Sequence, residues 1–424
     1  MTTTISVTGL YKIFGDRPDA ALDLLNRGEA KEAILEATGA TVAVQDASFD
    51  VEEGEIFVVM GLSGSGKSTL VRLLNGLIPP TSGNILIEGQ DVAQAKGEVL
   101  REIRRNTITM VFQHFALFPH WSVADNVAYG LKVKGMPVAD RRERAMAVLD
   151  QVGLAPWADS LPGDLSGGMQ QRVGLARGLA SDPQVLLMDE PFGALDPLIR
   201  REMQDELIEL QKTLKKTIVF ITHDLNEALL LGDKIAIMKD GRFVQVGTAQ
   251  DIVSNPADDY VQAFVADIDR GRVFTARDVS TDPVTAQLHT DSAEVALHRM
   301  ETAQLDALYV LDGDTVSGVV THRDVSAALR RDGPGDTALE ASLITDFTAV
   351  DQGTYLHELY GPAGNGLPIA VTDAGNRLLG VVETQDVLAQ LNSDTAEKPG
   401  ADASAPAVPP GIPESQSQTP EAAR

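Results

Sequence analysis

The sequence predicts an α/β protein in three stretches. A mostly parallel sheet with a helical subdomain runs to about residue 268. A smaller α/β module made of two repeats follows, over 271–332 and 338–391, and a tail spans 392–424. Three observations carry this reading. Short apolar runs, Ile56–Met60, Val185–Met188, Ile218–Ile221 and Ile235–Met238, alternate with helical patterns, as buried parallel strands do. Residues 309–324 are echoed by 369–386, each a strand, a turn, a second strand ending in Gly-Val-Val, and a helix. Beyond Asn392 the chain turns to Pro, Ala, Ser, Gln and Glu, with too little apolar surface to offset the entropy of ordering.

At 424 residues the chain exceeds one ordinary core. With 35 Lys+Arg against 61 Asp+Glu, the formal net charge of -26 argues against nucleic acid as a partner. The absence of cysteine excludes disulfides, thiol catalysis and cysteine-ligated zinc. The start, Met-Thr-Thr-Thr-Ile-Ser-Val, lacks the pattern of a signal peptide, and the apolar runs fall short of the roughly 20 residues that span a bilayer. A cytosolic location is expected, and any channel is another chain.

The elements follow in order. Between Phe14 and Val44, Ala21–Leu25 and Glu29–Ala37 read as two short helices, an insertion over about 16–42. Ile56–Met60 is a strand that runs into a glycine-rich loop, and a helix with Leu70, Leu73, Leu74 and Leu77 follows from Thr69. Ala145, Val148, Leu149 and Val152 recur at helical spacing, and Gly153 ends that helix.

Strand, loop and helix are the context of a phosphate-binding loop. Here the loop reads Gly61-Leu62-Ser63-Gly64-Ser65-Gly66-Lys67-Ser68-Thr69. Its glycines let backbone amides approach phosphates at a helix N-terminus. Lys67 is expected to reach the β and γ phosphates of ATP, and the Ser68 hydroxyl to bind Mg²⁺. The strand from Val185 ends in Asp189 and Glu190. Asp189 is expected to hold the magnesium shell, and Glu190 to polarise the attacking water as general base. His223 ends the strand from Thr217 and is placed to contact the γ phosphate. Phe14 is the aromatic expected to stack on adenine, with Tyr11 as its rival.

The run Leu165-Ser166-Gly167-Gly168-Met169-Gln170-Gln171-Arg172, with Pro191-Phe-Gly-Ala-Leu-Asp196 after the acidic pair, resembles the ABC (ATP-binding cassette) family. The resemblance implies an ABC-type P-loop domain that works as a homodimer. Leu165, Ser166, Gly167, Gly168 and Gln170 of one copy would meet ATP on the other, and Asp196 would communicate between the paired sites. It also implies that Gln113 senses Mg²⁺ and the attacking water. The apolar loop Phe115–Trp121 would lie where a membrane permease docks. More narrowly, Leu10-Tyr-Lys-Ile-Phe-Gly15, the insertion with Lys31-Glu-Ala-Ile-Leu-Glu-Ala-Thr-Gly39, and Leu195-Asp-Pro-Leu-Ile-Arg200 resemble the ATP-binding subunits of glycine betaine/proline betaine importers. That similarity implies import of a quaternary amine (glycine betaine, proline betaine or choline) with a permease and an extracytoplasmic substrate-binding protein, at the cytoplasmic face of the membrane. An importer of an amino acid or a sugar, and a soluble ABC ATPase without a transporter, are the alternatives.

The two repeats resemble paired CBS domains. This implies a regulatory adenine-nucleotide or cyclic-dinucleotide ligand, a response to salt through Arg323, Arg330 and Arg331, or dimerisation alone. Thr321, Asp324 and Asp386 are the ligand-facing residues the pattern implies. Glu383 stands where the first copy has Thr321, so two equivalent phosphate sites are not expected.

Overall fold

The computed structural model describes residues 2–113, 116–333 and 339–392. His114, Phe115 of the apolar loop, and the tail expected beyond residue 392 lie outside the described residues. Strands are numbered in chain order: β1 Thr3–Phe14, β2 Thr41–Glu52, β3 Ile56–Met60, β4 Ser82–Ile87, β5 Gln90–Asp91, β6 Ile108–Val111, β7 Val185–Asp189, β8 Thr217–Thr222, β9 Lys234–Lys239 and β10 Arg242–Gly247.

Six of them form one sheet in the order β10-β9-β3-β8-β7-β6, parallel except for the β9–β10 hairpin. Both faces are covered, which is why these strands read as unbroken apolar runs. In β3, Ile56, Val58 and Met60 enter one core while Phe57 and Val59 enter the other. The first core is shared with the helical subdomain, helices Val123–Val127, Val138–Gln151 and Gly167–Ala180. The second lies against the antiparallel sheet β2-β1-β4-β5 and the helix Lys67–Leu74, which starts two residues earlier than its apolar spacing suggests. Gly153, with φ +69°, stops the helix Val138–Gln151 through the left-handed conformation that glycine tolerates.

The insertion forms helices Pro18–Asn26 and Lys31–Thr38. They close a small core of Ile13, Ala21, Ile34, Ala40 and Val42 over the ends of β1 and β2.

The repeats contain β11 Thr285–Gln287, β12 Ala307–Asp312 and β13 Thr315–Thr321, then β14 Ala349–Asp351, β15 Ile369–Thr372 and β16 Leu378–Val382. Each three-stranded sheet has a parallel first pair and an antiparallel second pair. The leading strands β11 and β14 escape a reading by pattern because they are only three residues long. Two features cross the expected domain limits. Thr281, at the start of the first repeat, pairs with Val381 of the second. Leu356, Leu359, Ile369 and Val371 of the second repeat belong to the same buried cluster as Ile252, Val261 and Val265 of the nucleotide-binding domain. Val273 and Phe274, at the very start of the first repeat, belong to it as well, so the junction is packed. Among the described residues no helix is long and apolar enough to cross a membrane.

Candidate functional site

The phosphate loop is held by contacts its sequence alone does not reveal. A Cβ on Gly61 would lie 2.1 Å from the Met238 carbonyl oxygen, and one on Gly66 2.4 Å from that of Ala43. These two glycines are therefore demanded by the protein's own backbone. Only Gly64, at φ +81° with nothing within 4 Å of a Cβ, faces the open space a phosphate would enter. Leu62, Ser63 and Gly64 are exposed, Ser65 and Lys67 buried, and Thr69 half-buried. The Ser65 hydroxyl is a buried polar group with no hydrogen-bond partner, which suits a loop that receives an oxygen-rich ligand. The Lys67 ammonium donates to the carbonyls of Gly61 at 2.8 Å and Leu62 at 3.0 Å. Burial lowers its pKa, with Glu190 and Asp189 acting in the opposite sense.

Across from the loop, the Ser68 hydroxyl donates to Asp189 Oδ1 at 3.0 Å. Burial raises the Asp189 pKa, and the Ser68 hydrogen bond opposes the shift. Two hard oxygen donors at this spacing suit a divalent cation. Glu190 sits at φ +45°, in a region non-glycine residues rarely occupy, fixed by its amide on the Ile221 carbonyl at 3.0 Å. This conformation aims the carboxylate so that Oε2 lies 3.0 Å from His223 Nδ1. Gln113 is exposed, and its Nε2 lies 3.5 Å from where a Cβ on Gly193 would be, with Glu190 Oε2 at 3.7 Å from the same point. Gly193 thus leaves room for Gln113 and Glu190 to converge, and the structure brings Ser68, Asp189, Glu190, His223 and Gln113 together.

In the 165–172 run, Leu165 is buried, and Ser166 caps the helix Gly167–Ala180 by accepting from the Met169 amide at 3.4 Å. Gln170 Nε2 donates to the Leu165 carbonyl at 3.1 Å. A Cβ on Gly168 would meet Ile199 Cγ2 at 2.4 Å, so Gly168 is needed for helix packing as well as for any ligand. Asp196 caps the next helix, Pro197–Leu214, through Oδ1 to the Ile199 amide at 3.2 Å.

Behind the site lies a network that sequence reading missed. Buried Glu227 accepts from the Thr222 hydroxyl at 2.6 Å and from Gln204 at 3.1 Å. Arg200 reaches Asp224 at 3.5 Å and the Leu195 carbonyl at 3.3 Å, tying the segment before Asp196 to that around His223. The available signal was a carboxylate between Leu225 and Ala228, on the buried face of the helix Leu225–Leu231.

Phe14 is 43% exposed, and the Lys12 ammonium lies over its ring, 4.9 Å from the centre. Tyr11 instead lines a separate cavity of about 540 Å³ beneath the insertion. The apolar loop is held by Asn126, fully buried. Its side chain accepts from the Phe118 amide at 2.7 Å and donates to the carbonyls of Phe118, Trp121 and Ser122. Phe118, Trp121 and Tyr129 cluster there. Phe118 and Tyr129 line a groove of about 590 Å³ with Leu77, Phe112, Val133, Arg104, Arg105 and Arg177.

Between the repeats is a cavity of about 790 Å³ whose lining includes Asp306, Thr321, Arg323, Asp324 and Glu383. Thr321 and Asp324 bond each other, Oγ1 to Oδ2 at 2.7 Å. Asp386 is not part of the lining and accepts from the Glu383 amide at 2.9 Å. Burial raises the Glu383 pKa, with Asp386 and Asp306 adding to the shift. Tyr309 crosses the repeat boundary to donate to the Pro368 carbonyl at 2.6 Å. Arg323 is spent on Asp324 at 3.4 Å.

Comparison with known proteins agrees with this architecture. The ABC transporter family profile matches residues 44–193 and the CBS domain profile residues 276–331. The glycine betaine/proline betaine transport system ATP-binding protein ProV of Salmonella typhimurium is 47% identical over 399 residues, covering 93% of this chain and 99% of that protein. The glycine betaine/carnitine transport ATP-binding protein GbuA of Listeria monocytogenes is 47% identical over 392 residues, 92% of this chain and 98% of that one. The structure of cbiO1 from Clostridium perfringens, part of the ABC transporter complex cbiONQ, matches with a TM-score of 0.50 at 27% identity, over 61% of this chain and 93% of that chain. The chain binds ATP as an ABC ATPase does, and it belongs to the family of ATP-binding subunits of glycine betaine/proline betaine ABC transporters.

Proposed function

We propose that this chain hydrolyses ATP as one half of a homodimer and thereby powers import of a quaternary amine osmolyte, glycine betaine, proline betaine or choline. The observation that carries the reading is the strained Glu190, held 3.0 Å from His223 beside a phosphate loop. Phe14 stacks on adenine, the amides from Gly61 to Thr69 cradle the phosphates, and Lys67 leaves its two carbonyls to meet them. Ser68 and Gln113 would hold Mg²⁺ with Asp189 at its shell; the ion supplies neutralisation of phosphate charge. Glu190 takes the proton from the attacking water, and His223 orients that carboxylate and the γ phosphate. Leu165, Ser166, Gly167, Gly168 and Gln170 serve the partner copy's ATP, with Asp196 between the two sites.

The apolar groove rimmed by Arg104, Arg105 and Arg177 supports docking of a membrane permease, and with it a location at the cytoplasmic face of the membrane. An extracytoplasmic binding protein would deliver the solute. The repeats regulate this cycle, and the nucleotide-binding domain (1–268) and the two CBS repeats (271–332, 338–391) are its working units. The cavity between them suits the adenosine part of an adenine nucleotide or cyclic dinucleotide. Asp306, Asp324 and Glu383 in its wall disfavour bare phosphate and make Thr321 and Asp324, rather than Asp386, the ribose-facing pair.

The test is Glu190→Gln in cells with no other copy. ATP binding should persist, while turnover falls by about 10²- to 10⁴-fold and uptake of labelled glycine betaine and choline stops. Normal turnover would remove Glu190 from the mechanism. Unchanged uptake of both solutes with turnover lost would show that the cargo is a different one.

A further inference from the structure

The helical insertion reaches the floor of the phosphate loop through one side chain. Its helices are anchored by the small core around Ile34 and Ala21. Lys31, the first residue of the helix Lys31–Thr38, extends its ammonium to the Val42 carbonyl at 3.0 Å and to the Asp240 carbonyl. Asp240 and Gly241 are the two-residue turn of the β9–β10 hairpin, at φ +49° and +80°, the pair of left-handed conformations such a turn requires. Gln45 fastens the same turn, its amide donating to the Gly241 carbonyl at 2.8 Å and its side chain to that of Asp240 at 3.1 Å.

That turn is the backing of the phosphate loop. The Gly241 amide donates to the Ser65 carbonyl at 2.8 Å. A Cβ on Gly66 would lie 2.4 Å from the Ala43 carbonyl oxygen and 3.4 Å from Gly241 Cα, so loop and turn are in backbone contact. A shift of Asp240 and Gly241 therefore moves Ser65 and Gly66, whose amides serve the phosphates in the proposed function. Burial lowers the Lys31 pKa while the Asp240 charge acts the other way.

We propose that Lys31 is a positioning residue that locks the β9–β10 turn against the phosphate loop and so sets the affinity for ATP, giving the insertion a role at the nucleotide site. The proposal rests on the reading of 61–69 as the ATP-binding loop. Lys31 touches no substrate in this account; it acts through Asp240, Gly241 and Ser65.

Lys31→Met keeps the aliphatic stem and removes the charged donor. In the full-length protein, steady-state ATPase should show KM for ATP raised by about tenfold, the effect expected of one charged hydrogen bond, with kcat within about twofold. Binding of a fluorescent ATP analogue should weaken by the same factor. Lys31→Arg, which retains a charged donor, should recover most of the loss. Thermal melting should move little, which separates positioning from general loosening. Unchanged KM in Lys31→Met would overturn the proposal. So would a KM rise that Lys31→Arg fails to recover and that is matched by a fall in melting temperature. Lys67→Ala is the control: if it leaves ATP binding intact, the loop assignment fails and the proposal with it. If it abolishes binding while Lys31→Met does nothing, Lys31 alone is wrongly assigned.

Discussion

A single methyl at position 168 tests how tightly the helix starting at Gly167 is locked to the helix that follows Asp196. A Cβ there would lie 2.4 Å from Ile199 Cγ2. Carbon atoms in contact rest about 3.5–4.0 Å apart, so one partner has to retreat by about 1 Å. Ile199 cannot simply turn away. As a β-branched residue it has essentially one helical χ1 rotamer, and its amide is held by Asp196 at 3.2 Å. Overpacking of this kind costs about 1–3 kcal/mol, of which the better helix propensity of alanine returns up to about 1 kcal/mol. The expected net loss in Gly168→Ala is about 1–2 kcal/mol. ATPase activity should fall too, because the displaced helix carries Asp196 at its cap.

The assay is a double-mutant cycle of Gly168→Ala, Ile199→Ala and both together. Melting can be followed by intrinsic fluorescence, because both tryptophans, Trp121 and Trp157, lie in the nucleotide-binding domain. Ile199→Ala alone loses half-buried packing. Combined with Gly168→Ala, the new methyl occupies the vacated space, so the two losses should fall short of additive by about 1–2 kcal/mol. Additive losses would refute the argument that steric contact with Ile199 is what forbids a side chain here.

Two further outcomes follow from the packing and electrostatics. Leu359→Ala in the second repeat should lower the tryptophan-reported melting of the nucleotide-binding domain, because Leu359 is fully buried in the cluster that also holds Ile252 and Val261. Such cavities cost about 2–5 kcal/mol, and a transition that stays put would mean the repeats melt independently. Glu227 has its pKa raised by burial above the ordinary 4.5, against hydrogen bonds from Thr222 and Gln204 and the nearby Arg200. A raised carboxyl pKa contributes stability that is fully present below 4.5 and lost as pH rises through the folded-state value. Wild type should therefore lose melting temperature relative to Glu227→Gln as pH rises from 4.5, measured as the difference between the two curves. Parallel curves would show that the buried carboxyl is not the group responsible.

Much of the chemistry was legible in the sequence because it lies in contiguous motifs whose residue types are dictated by the ligand. Lys67 and Ser68, the pair Asp189 and Glu190, and His223 at a strand end each announce a role through local pattern. So do the buried strands, whose unbroken apolar runs follow from coverage on both faces. What only the tertiary structure decided is how these segments meet. The glycine at 61 answers to Met238, far away in sequence, and the one at 66 to Ala43 on a different strand. Glu190 is held in a left-handed conformation by a hydrogen bond from its amide to Ile221, on the neighbouring strand. Lys31 reaches the Asp240 carbonyl in a turn more than two hundred residues away. The second repeat shares a core with the nucleotide-binding domain because close packing joins whatever apolar faces the fold brings together. Local sequence specifies which groups can do the chemistry; the long-range contacts that aim them carry no signature in the sequence, since any residue with a free carbonyl can serve as their anchor.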